Sequence, residues 1–202
     1  MIGVIDYGLG NVNAFLNCYK ELNMSAVAVS DPKTLDRFSH LILPGVGAFD
    51  EAMNMLKKTG FGPAILKAIE NKSYLLGVCV GMQVLGECSD EGVLPGLGLI
   101  PGKVLKFQGE DVVTPHMGWN QVSYDQKHPI FTGFYEFSPE FYFLHSFYFS
   151  PTDNSSTVAV TDYIKNFSSA VNKERVFGFQ FHPEKSHENG RLLLQNFANL
   201  GV

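Results

Sequence analysis

Residues 74–83 constrain the fold more than any other part of the chain. They form an apolar run, Tyr-Leu-Leu-Gly-Val-Cys-Val-Gly-Met-Gln, that ends in Gly-X-Cys-X-Gly and continues into a helix-compatible segment. This pattern is typical of a nucleophile elbow, a sharp strand-to-helix turn, with Cys79 as the nucleophile at a helix N-terminus that favours its thiolate. Gly77 and Gly81 agree with this interpretation, because such a strained turn closes only when the residues next to the nucleophile lack Cβ. The alternative is a buried structural cysteine between two loop glycines.

Composition limits the classes of protein to consider. The 202 residues are 45% apolar and 17% charged, which predicts a single domain over residues 1–202 with an ample core. The net charge of −5 without a clustered basic face argues against nucleic acid as a partner. No basic leader precedes the first apolar residues, and no run approaches the ~20 residues of a membrane helix. The three scattered cysteines favour a cytosolic chain with free thiols, and no His/Cys/Asp cluster has metal-ligand spacing, so we expect neither metal nor cofactor.

The order of the predicted elements favours an α/β fold. Strand-like segments at 2–5, 26–29 and 40–43 alternate with helical patterns that reach Leu22 and then cover 50–57 and 62–71, and the elbow strand leads into a helix over 81–88. From Asp90 onward, short strand-like segments at 103–107, 119–124, 141–149, 157–161 and 176–181 predict antiparallel hairpins appended to a parallel sheet. The last helix, over 189–200, is expected to pack on the sheet through Leu192, Leu193, Phe197 and Leu200.

Two glycine-rich segments follow predicted strands. Residues 6–11, Asp-Tyr-Gly-Leu-Gly-Asn, invite comparison with a phosphate-binding loop, but their spacing matches neither the dinucleotide fingerprint nor the P-loop. Residues 44–49, Pro-Gly-Val-Gly-Ala-Phe, place glycines on both sides of Val46 at the carboxyl end of a strand, where ligands bind in open α/β sheets. An oxyanion hole requires exposed backbone N–H groups, and we expect Val46 and Gly47 to supply them. A plain tight loop is the alternative.

A possible base for Cys79 lies near the end of the chain. The run Gly-Phe-Gln-Phe-His-Pro-Glu at 178–184 places His182 two residues before Glu184, with Pro183 stiffening the exit from a strand. A carboxylate in that position can fix the tautomer of the imidazole and stabilise the imidazolium. The chain order Cys79, His182, Glu184 therefore suggests a nucleophile, a base and an orienting group.

Several of these motifs together match one family in order. They are Leu-Pro-Gly-Val-Gly-Ala-Phe at 43–49, Gly-Val-Cys-Val-Gly-Met-Gln at 77–83, Pro-His-Met-Gly-Trp-Asn at 115–120, Leu-His-Ser-Phe-Tyr at 144–148 and Gln-Phe-His-Pro-Glu-Lys-Ser at 180–186. The chain resembles the glutaminase subunits of imidazole glycerol phosphate synthase, the HisH family, among the class I triad-type glutamine amidotransferases. The resemblance implies a flavodoxin-like α/β fold with a mostly parallel central sheet, flanking helices and appended antiparallel strands.

The resemblance also implies a reaction and its residues. Cys79 would attack the side-chain amide of L-glutamine, with His182 as base and acid and Glu184 as its orienting group. Backbone N–H groups at Val46, Gly47 and Val80 would hold the oxyanion. Gln83, Glu91 and the backbone at Ser146 and Phe147 would bind the α-amino end of glutamine. The alternatives are a solvated loop carboxylate for Glu91 and an ordinary helix residue for Gln83. His116 is expected to be structural. For His145 and Trp119 the alternative to a contact is a core or surface residue.

A partner is implied as well. Members of the family pass ammonia to a HisF-like (β/α)8 cyclase subunit that closes the imidazole ring of a phosphorylated ribulosyl substrate. Asn11, Trp119, Tyr142 and Lys185 fall on the partner face by this resemblance, with solvated surface as the alternative for Asn11 and Lys185. We expect low glutaminase activity without the partner.

Some residues depart from the usual family wording. Val80 stands where leucine is commoner, and Phe147 replaces a frequent tyrosine. These departures resemble a HisH-like branch that supplies ammonia for amidino sugars of surface polysaccharides, with unchanged chemistry at Cys79. A stand-alone cysteine hydrolase of γ-glutamyl amides and a catalytically silent interaction module are further alternatives. The second would be expected to lack one of the three catalytic side chains.

Overall fold

A mixed eight-stranded sheet forms the centre of the molecule. The computed structural model describes residues 1–109, 113–135 and 138–201. Its strands are β1 (Ile2–Ile5), β2 (Ala26–Val29), β3 (His40–Gly45), β4 (Tyr74–Cys79), β5 (Cys88–Ser89), β6 (Gly102–Lys106), β7 (His116–Gln121), β8 (Ser123–Tyr124), β9 (Glu140–His145), β10 (Phe147–Pro151), β11 (Thr157–Tyr163), β12 (Lys165–Lys173) and β13 (Val176–Phe179). Its α-helices are α1 (Val12–Glu21), α2 (Phe49–Thr59), α3 (Phe61–Glu70), α4 (Val80–Gln83) and α5 (His187–Ala198).

The large sheet has a parallel half and an antiparallel half. Its strand order is β2-β1-β3-β4-β13-β12-β11-β8, parallel from β2 to β13 and antiparallel beyond. Every residue of β1, β3 and β13 is buried, so both faces of the parallel half are covered. Two smaller sheets, β10-β6-β5 and the antiparallel ribbon β7-β9, extend from this framework. The predicted fold class, a mostly parallel sheet with appended antiparallel strands, is confirmed.

Several predicted boundaries were wrong, each for a local reason. The helix expected over 81–88 ends at Gln83, because the next N–H groups close tight turns, Leu85 N–H to Met82 and Gly86 N–H to Gln83. The strands expected over 119–124 and 141–149 are each broken, at Val122 and at Ser146.

Two further predictions about the second half of the chain need correction. Strand β12 was not predicted, because its sequence, Lys-Asn-Phe-Ser-Ser-Ala-Val-Asn-Lys, is polar and poor in β-branched residues. Helix α5 buries Leu193, Leu194 and Phe197, so Leu194 takes the place expected for Leu192. No helix in the part of the chain that the structure describes is long and apolar enough to cross a membrane.

The turn between β4 and α4 is the predicted elbow. Cys79 has φ 57° and ψ −115°, a conformation that costs a non-glycine residue ~1–3 kcal/mol. Backbone contacts enforce the turn: a Cβ on Gly81 would lie 2.0 Å from the carbonyl oxygen of Leu43, and one on Gly45 would lie 2.1 Å from the amide nitrogen of Gly81. A Cβ on Gly77 would lie 2.3 Å from the carbonyl oxygen of Gly81. The glycines thus let α4 sit directly on the ends of β3 and β4.

We expect Gly81→Ala to lower the free energy of unfolding by at least ~2 kcal/mol, because its Cβ meets backbone that cannot rotate away. Chemical denaturation of the two proteins measures the difference. Gly62→Ala is the matched control, since its Cβ would meet Leu56 and Leu97 only at 3.8 and 3.9 Å within α3. The control should be neutral or stabilising by up to ~1 kcal/mol. Equal effects of the two substitutions would contradict the packing argument.

Candidate active site

A cavity of about 290 Å³ opens at the carboxyl ends of the parallel strands, beside Cys79. This is the edge at which open α/β sheets bind ligands. The predicted nucleophile, base, oxyanion and glutamine-binding residues all line it, and Glu184 lies behind His182. The lining residues are Val46, Gly47, Cys79, Val80, Gln83, Glu91, Pro115, Leu144, His145, Ser146, Phe147, His182 and Lys185. The fold thus brings together residues that are more than a hundred positions apart in sequence.

Cys79, His182 and Glu184 form a connected set. Nδ1 of His182 lies 2.8 Å from Oε1 of Glu184, and the imidazole lines the same cavity as the Cys79 sulfur and interacts with it electrostatically. Because Nδ1 donates to the carboxylate, Nε2 is the nitrogen that faces the sulfur. Burial by itself lowers the pKa of His182, but the hydrogen bonds and charges of Cys79 and Glu184 outweigh burial and raise the pKa well above its ordinary value of 6.5. The geometry therefore favours an imidazolium beside the sulfur at neutral pH.

The turn that carries His182 is held by β9 and by Ser186. The His182 N–H donates to the Tyr142 carbonyl at 2.8 Å, and the Ser186 hydroxyl donates to the His182 carbonyl at 2.6 Å. Ser186 Oγ in turn accepts from the Tyr142 N–H at 3.0 Å. These bonds fix the backbone on either side of Pro183, so the imidazole is pre-positioned toward Cys79.

The predicted oxyanion donors come from two segments that line the cavity together with Cys79. Val80 is the first residue of α4, so its N–H has no partner within that helix. Val46, 43% exposed, and Gly47 lie at the mouth of the cavity in the segment between β3 and α2. The sulfur itself donates to the Leu144 carbonyl oxygen at 3.7 Å and accepts from Nε2 of Gln180 at 3.9 Å.

The residues predicted to bind glutamine are held in place by hydrogen bonds. Nε2 of Gln83 donates to the Phe147 carbonyl at 3.1 Å and to Oε1 of Gln180 at 3.2 Å. Both amide hydrogens are therefore in use, and the Gln83 carbonyl oxygen is the group left to accept from an ammonium. Oε2 of Glu91 accepts from the Phe49 N–H at 2.8 Å, so Glu91 is more than a solvated loop carboxylate.

Two neutral histidines support the Phe147 carbonyl from behind. Nδ1 of His145 donates to this carbonyl at 2.8 Å, and His145 Nε2 lies 2.9 Å from Nδ1 of His116. The Asn120 amide donates to Nε2 of His116 at 3.1 Å. Donation therefore runs in one direction, from Asn120 through His116 and His145 to the Phe147 carbonyl. Burial lowers the pKa of His116 to about 4, and burial, with the charges of His116 and His182, lowers the pKa of His145 to about 3. His116 is structural as expected, and His145 belongs to the site.

Three of the four predicted partner-face residues form one surface, which we call the aromatic patch: Trp119, Tyr142 and Lys185. The Trp119 and Tyr142 rings meet edge to face at 6.1 Å, and Nζ of Lys185 lies 5.5 Å over the Tyr142 ring. Trp119 is 46% exposed and also stacks on His187 at 4.9 Å. Asn11 instead caps α1 by accepting from the Ala14 N–H at 3.1 Å, although it lines a small cavity together with Lys185.

The class I glutamine amidotransferase family model matches residues 3–200. The chain belongs to this family. A HisH subunit of imidazole glycerol phosphate synthase from Bdellovibrio bacteriovorus is 45% identical over 205 residues, covering 99% of this chain and all of that one. One from Leptospira interrogans is 44% identical over 205 residues with the same coverage. Pseudomonas aeruginosa has one named HisH 2, 45% identical over 202 residues, again covering 99% of this chain and 100% of the relative. The resemblance to the HisH family is thereby confirmed.

Solved structures share the fold at lower identity. A crystal structure of a glutamine amidotransferase superposes with a TM-score of 0.74 at 19% identity and covers 98% of each chain. A chain of PurLQS from Thermotoga maritima gives a TM-score of 0.73 at 21% identity, covering 98% of this chain and 97% of that one.

Sequence reasoning missed two side chains of this amidotransferase. Gln180 contacts both Gln83 and the Cys79 sulfur, and its position in the motif Gln-Phe-His-Pro-Glu is the signal that could have found it. Asp50 binds the loop that carries Glu91, and nothing in the sequence indicates that long-range contact. In the described residues, no cluster of three His, Cys, Asp or Glu side chains has the arrangement of a metal site.

We expect His182 to remain protonated well above pH 6.5, because Cys79 and Glu184 both stabilise its charged form. Glu184→Gln removes one of these charges and should lower the pKa of His182. Stabilisation by the pair is complete below pH 6.5 and is lost as the pH rises through the folded-state pKa. A side-chain nitrogen NMR titration measures the shift, with His145, neutral down to about pH 3, as internal reference. A His182 that titrates near 6.5 in the unmodified protein would contradict this assignment.

Proposed function

We propose that this chain is the glutaminase subunit of imidazole glycerol phosphate synthase, which hydrolyses L-glutamine and delivers ammonia for histidine biosynthesis. The observation that carries the proposal is Cys79 on a strained elbow, beside a His182 that is hydrogen-bonded to Glu184, at a cavity on the carboxyl edge of the sheet. The full-length matches to HisH subunits support the choice of enzyme. No metal or cofactor is required for this chemistry.

In the first half-reaction Cys79 attacks the side-chain amide carbon of glutamine. The Cys79 proton resides on Nε2 of His182 as the sulfur attacks, and Glu184 holds this imidazolium. Backbone N–H groups at Val80 and at Val46 and Gly47 stabilise the tetrahedral oxyanion, each donor being worth ~3 kcal/mol. His182 then protonates the leaving nitrogen, the C–N bond breaks, and ammonia and a γ-glutamyl thioester remain.

In the second half-reaction a water molecule replaces ammonia. His182 removes its proton, the hydroxide adds to the thioester carbonyl, and the C–S bond breaks to release glutamate and the Cys79 thiolate. The Gln83 carbonyl and Glu91 hold the α-ammonium group through both steps, beside the backbone of Ser146 and Phe147. This arrangement selects a substrate with an ammonium group at a fixed distance from its amide.

Ammonia would pass to a HisF-like (β/α)8 cyclase subunit bound as a heterodimer at the aromatic patch. The relatives are named subunits, and the patch combines exposed aromatic area with a cation, a composition typical of interface hot spots. Lys185 lines both the catalytic cavity and the small cavity shared with Asn11, so the patch borders the route out of the site. We place the enzyme in the cytoplasm, where free glutamine and a reduced Cys79 are both present.

Cys79→Ser is expected to lower the rate of glutamine hydrolysis by a factor of at least ~10³. Glutamine binding should stay intact, because only the nucleophile changes. Glutamate release is measured for the purified chain alone and with the cyclase subunit loaded with a substrate analogue. Cys88→Ser, which alters a half-buried thiol outside the cavity, is the control and should retain activity. Equal turnover with and without the partner would favour a stand-alone cysteine hydrolase. Retained activity in Cys79→Ser would exclude the proposed nucleophile.

Trp119→Ala is expected to weaken binding of the cyclase subunit by at least ~2 kcal/mol, since a half-exposed aromatic anchor is lost from the patch. Isothermal titration calorimetry with the partner measures the dissociation constant. Val27→Ala is the matched control, because Val27 is 40% exposed on the edge strand β2, outside the patch. An unchanged dissociation constant in Trp119→Ala would contradict this docking surface.

A further inference from the structure

At the rim of the cavity, two carboxylates on different elements each accept hydrogen bonds from backbone N–H groups next to the other carboxylate. Asp50, in the first turn of α2, accepts from the Val93 N–H at 3.1 and 3.0 Å with its two oxygens, and from the Leu94 N–H at 3.1 Å. In the opposite direction Glu91, in the loop after β5, accepts from the Phe49 N–H at 2.8 Å. We call this pair of contacts the reciprocal clamp.

Local sequence explains why the clamp forms. The N-cap residue of α2 is Ala48, which has no side-chain acceptor, so the first N–H groups of the helix need a partner from elsewhere. Glu91 supplies one, and its negative charge is favourable at a helix N-terminus. Gly92 is required between the two contacts, because a Cβ there would lie 2.0 Å from Oδ1 of Asp50. The Ser89 hydroxyl oxygen also accepts from the Glu91 N–H at 3.1 Å, which fixes the start of the loop.

The clamp joins two parts of the catalytic site. Phe49 directly follows the segment with Val46 and Gly47, the proposed oxyanion donors, and its side chain is fully buried. Glu91 lines the cavity, with Oε2 committed to the Phe49 N–H and Oε1 left to accept from a ligand. One carboxylate therefore touches both the anchor of the oxyanion segment and the space for the substrate ammonium group.

We propose that Asp50 is a specificity-determining positioning residue. Asp50 itself does not line the cavity; it holds the loop so that Glu91 faces the α-ammonium group before substrate arrives. Selection of glutamine over amides that lack an α-ammonium group then depends on Asp50 acting through Glu91. This inference rests on the proposed glutaminase function and deepens it, because it names a residue that sets which amides are accepted.

The test compares two substrates in the complex with the cyclase subunit. One is L-glutamine, and the other is 5-amino-5-oxopentanoate, which is glutamine without its α-ammonium group. Asp50→Asn is expected to lower kcat/KM for glutamine roughly tenfold, mainly through KM. The reason is that Glu91 is then misplaced for its charged contact with the α-ammonium group. Turnover of the analogue should change by less than about twofold, since it has no group for Glu91 to bind. Asp36→Asn, an exposed aspartate before β3, is the charge-matched control and should change neither value.

A double-substitution cycle shows whether Asp50 acts through Glu91. In a Glu91→Gln background, Asp50→Asn should have little further effect on the ratio of the kcat/KM values for the two substrates. The carboxylate that Asp50 positions is already lost in that background. Gly92→Ala, which displaces the Asp50 carboxylate without removing a charge, is the second variant and should shift the ratio in the same direction. Thermal unfolding confirms that each variant is folded.

The outcomes separate this proposal from the function on which it rests. If the unmodified complex does not hydrolyse glutamine, the proposed function fails, and this inference fails with it. If the complex hydrolyses glutamine but Asp50→Asn and Gly92→Ala lower kcat/KM equally for both substrates, Asp50 is structural and the inference alone is wrong. Unchanged kinetics in both variants, or full additivity with Glu91→Gln, would likewise overturn it.

Discussion

The close contact among the backbones of Gly45, Gly77 and Gly81 is the constraint on which the site depends. Cys79 adopts a strained conformation, and it persists only where the surroundings over-determine it. Here the surroundings are the paired ends of β3 and β4, in register at Gly45 and Cys79, and a buried sheet core on both faces. The sheet thus holds a sulfur above its edge, and the loops and ribbons that surround it supply the remaining groups.

Electrostatics then divides the histidines into two kinds. His182 has a carboxylate at 2.8 Å and a thiol beside it, so its charged form is stabilised despite burial. His145 is also buried, but its partners are a backbone carbonyl and the imidazole of His116, so its neutral form is favoured. Placing a second positive charge near His182 would oppose protonation there. The neutral pair therefore offers hydrogen bonds behind Phe147 without opposing the protonation of His182.

The sequence was most informative where a function needs a local pattern. The elbow glycines, the His182 and Glu184 pair and the first four strands are short-range features, and the structure places them as expected. The reciprocal clamp joins residues 42 to 44 positions apart, and no periodicity indicates it. Strand β12 was missed because its position beside β13 outweighs the weak strand preference of its own residues. What the sequence left open is therefore mostly pairing between distant segments.

The ribbon β7-β9 shows how such pairing gives one element two functions. Side chains alternate across it, so His116 pairs with His145 on the face toward the Phe147 carbonyl, and Trp119 pairs with Tyr142 on the face with the aromatic patch. The Leu144 carbonyl of the same ribbon lies 3.7 Å from the Cys79 sulfur. A protein bound at the patch would contact the same two strands that support the Phe147 carbonyl and border the nucleophile. A partner docked at the patch and a ligand held at the Phe147 carbonyl would therefore be coupled through a single pair of strands.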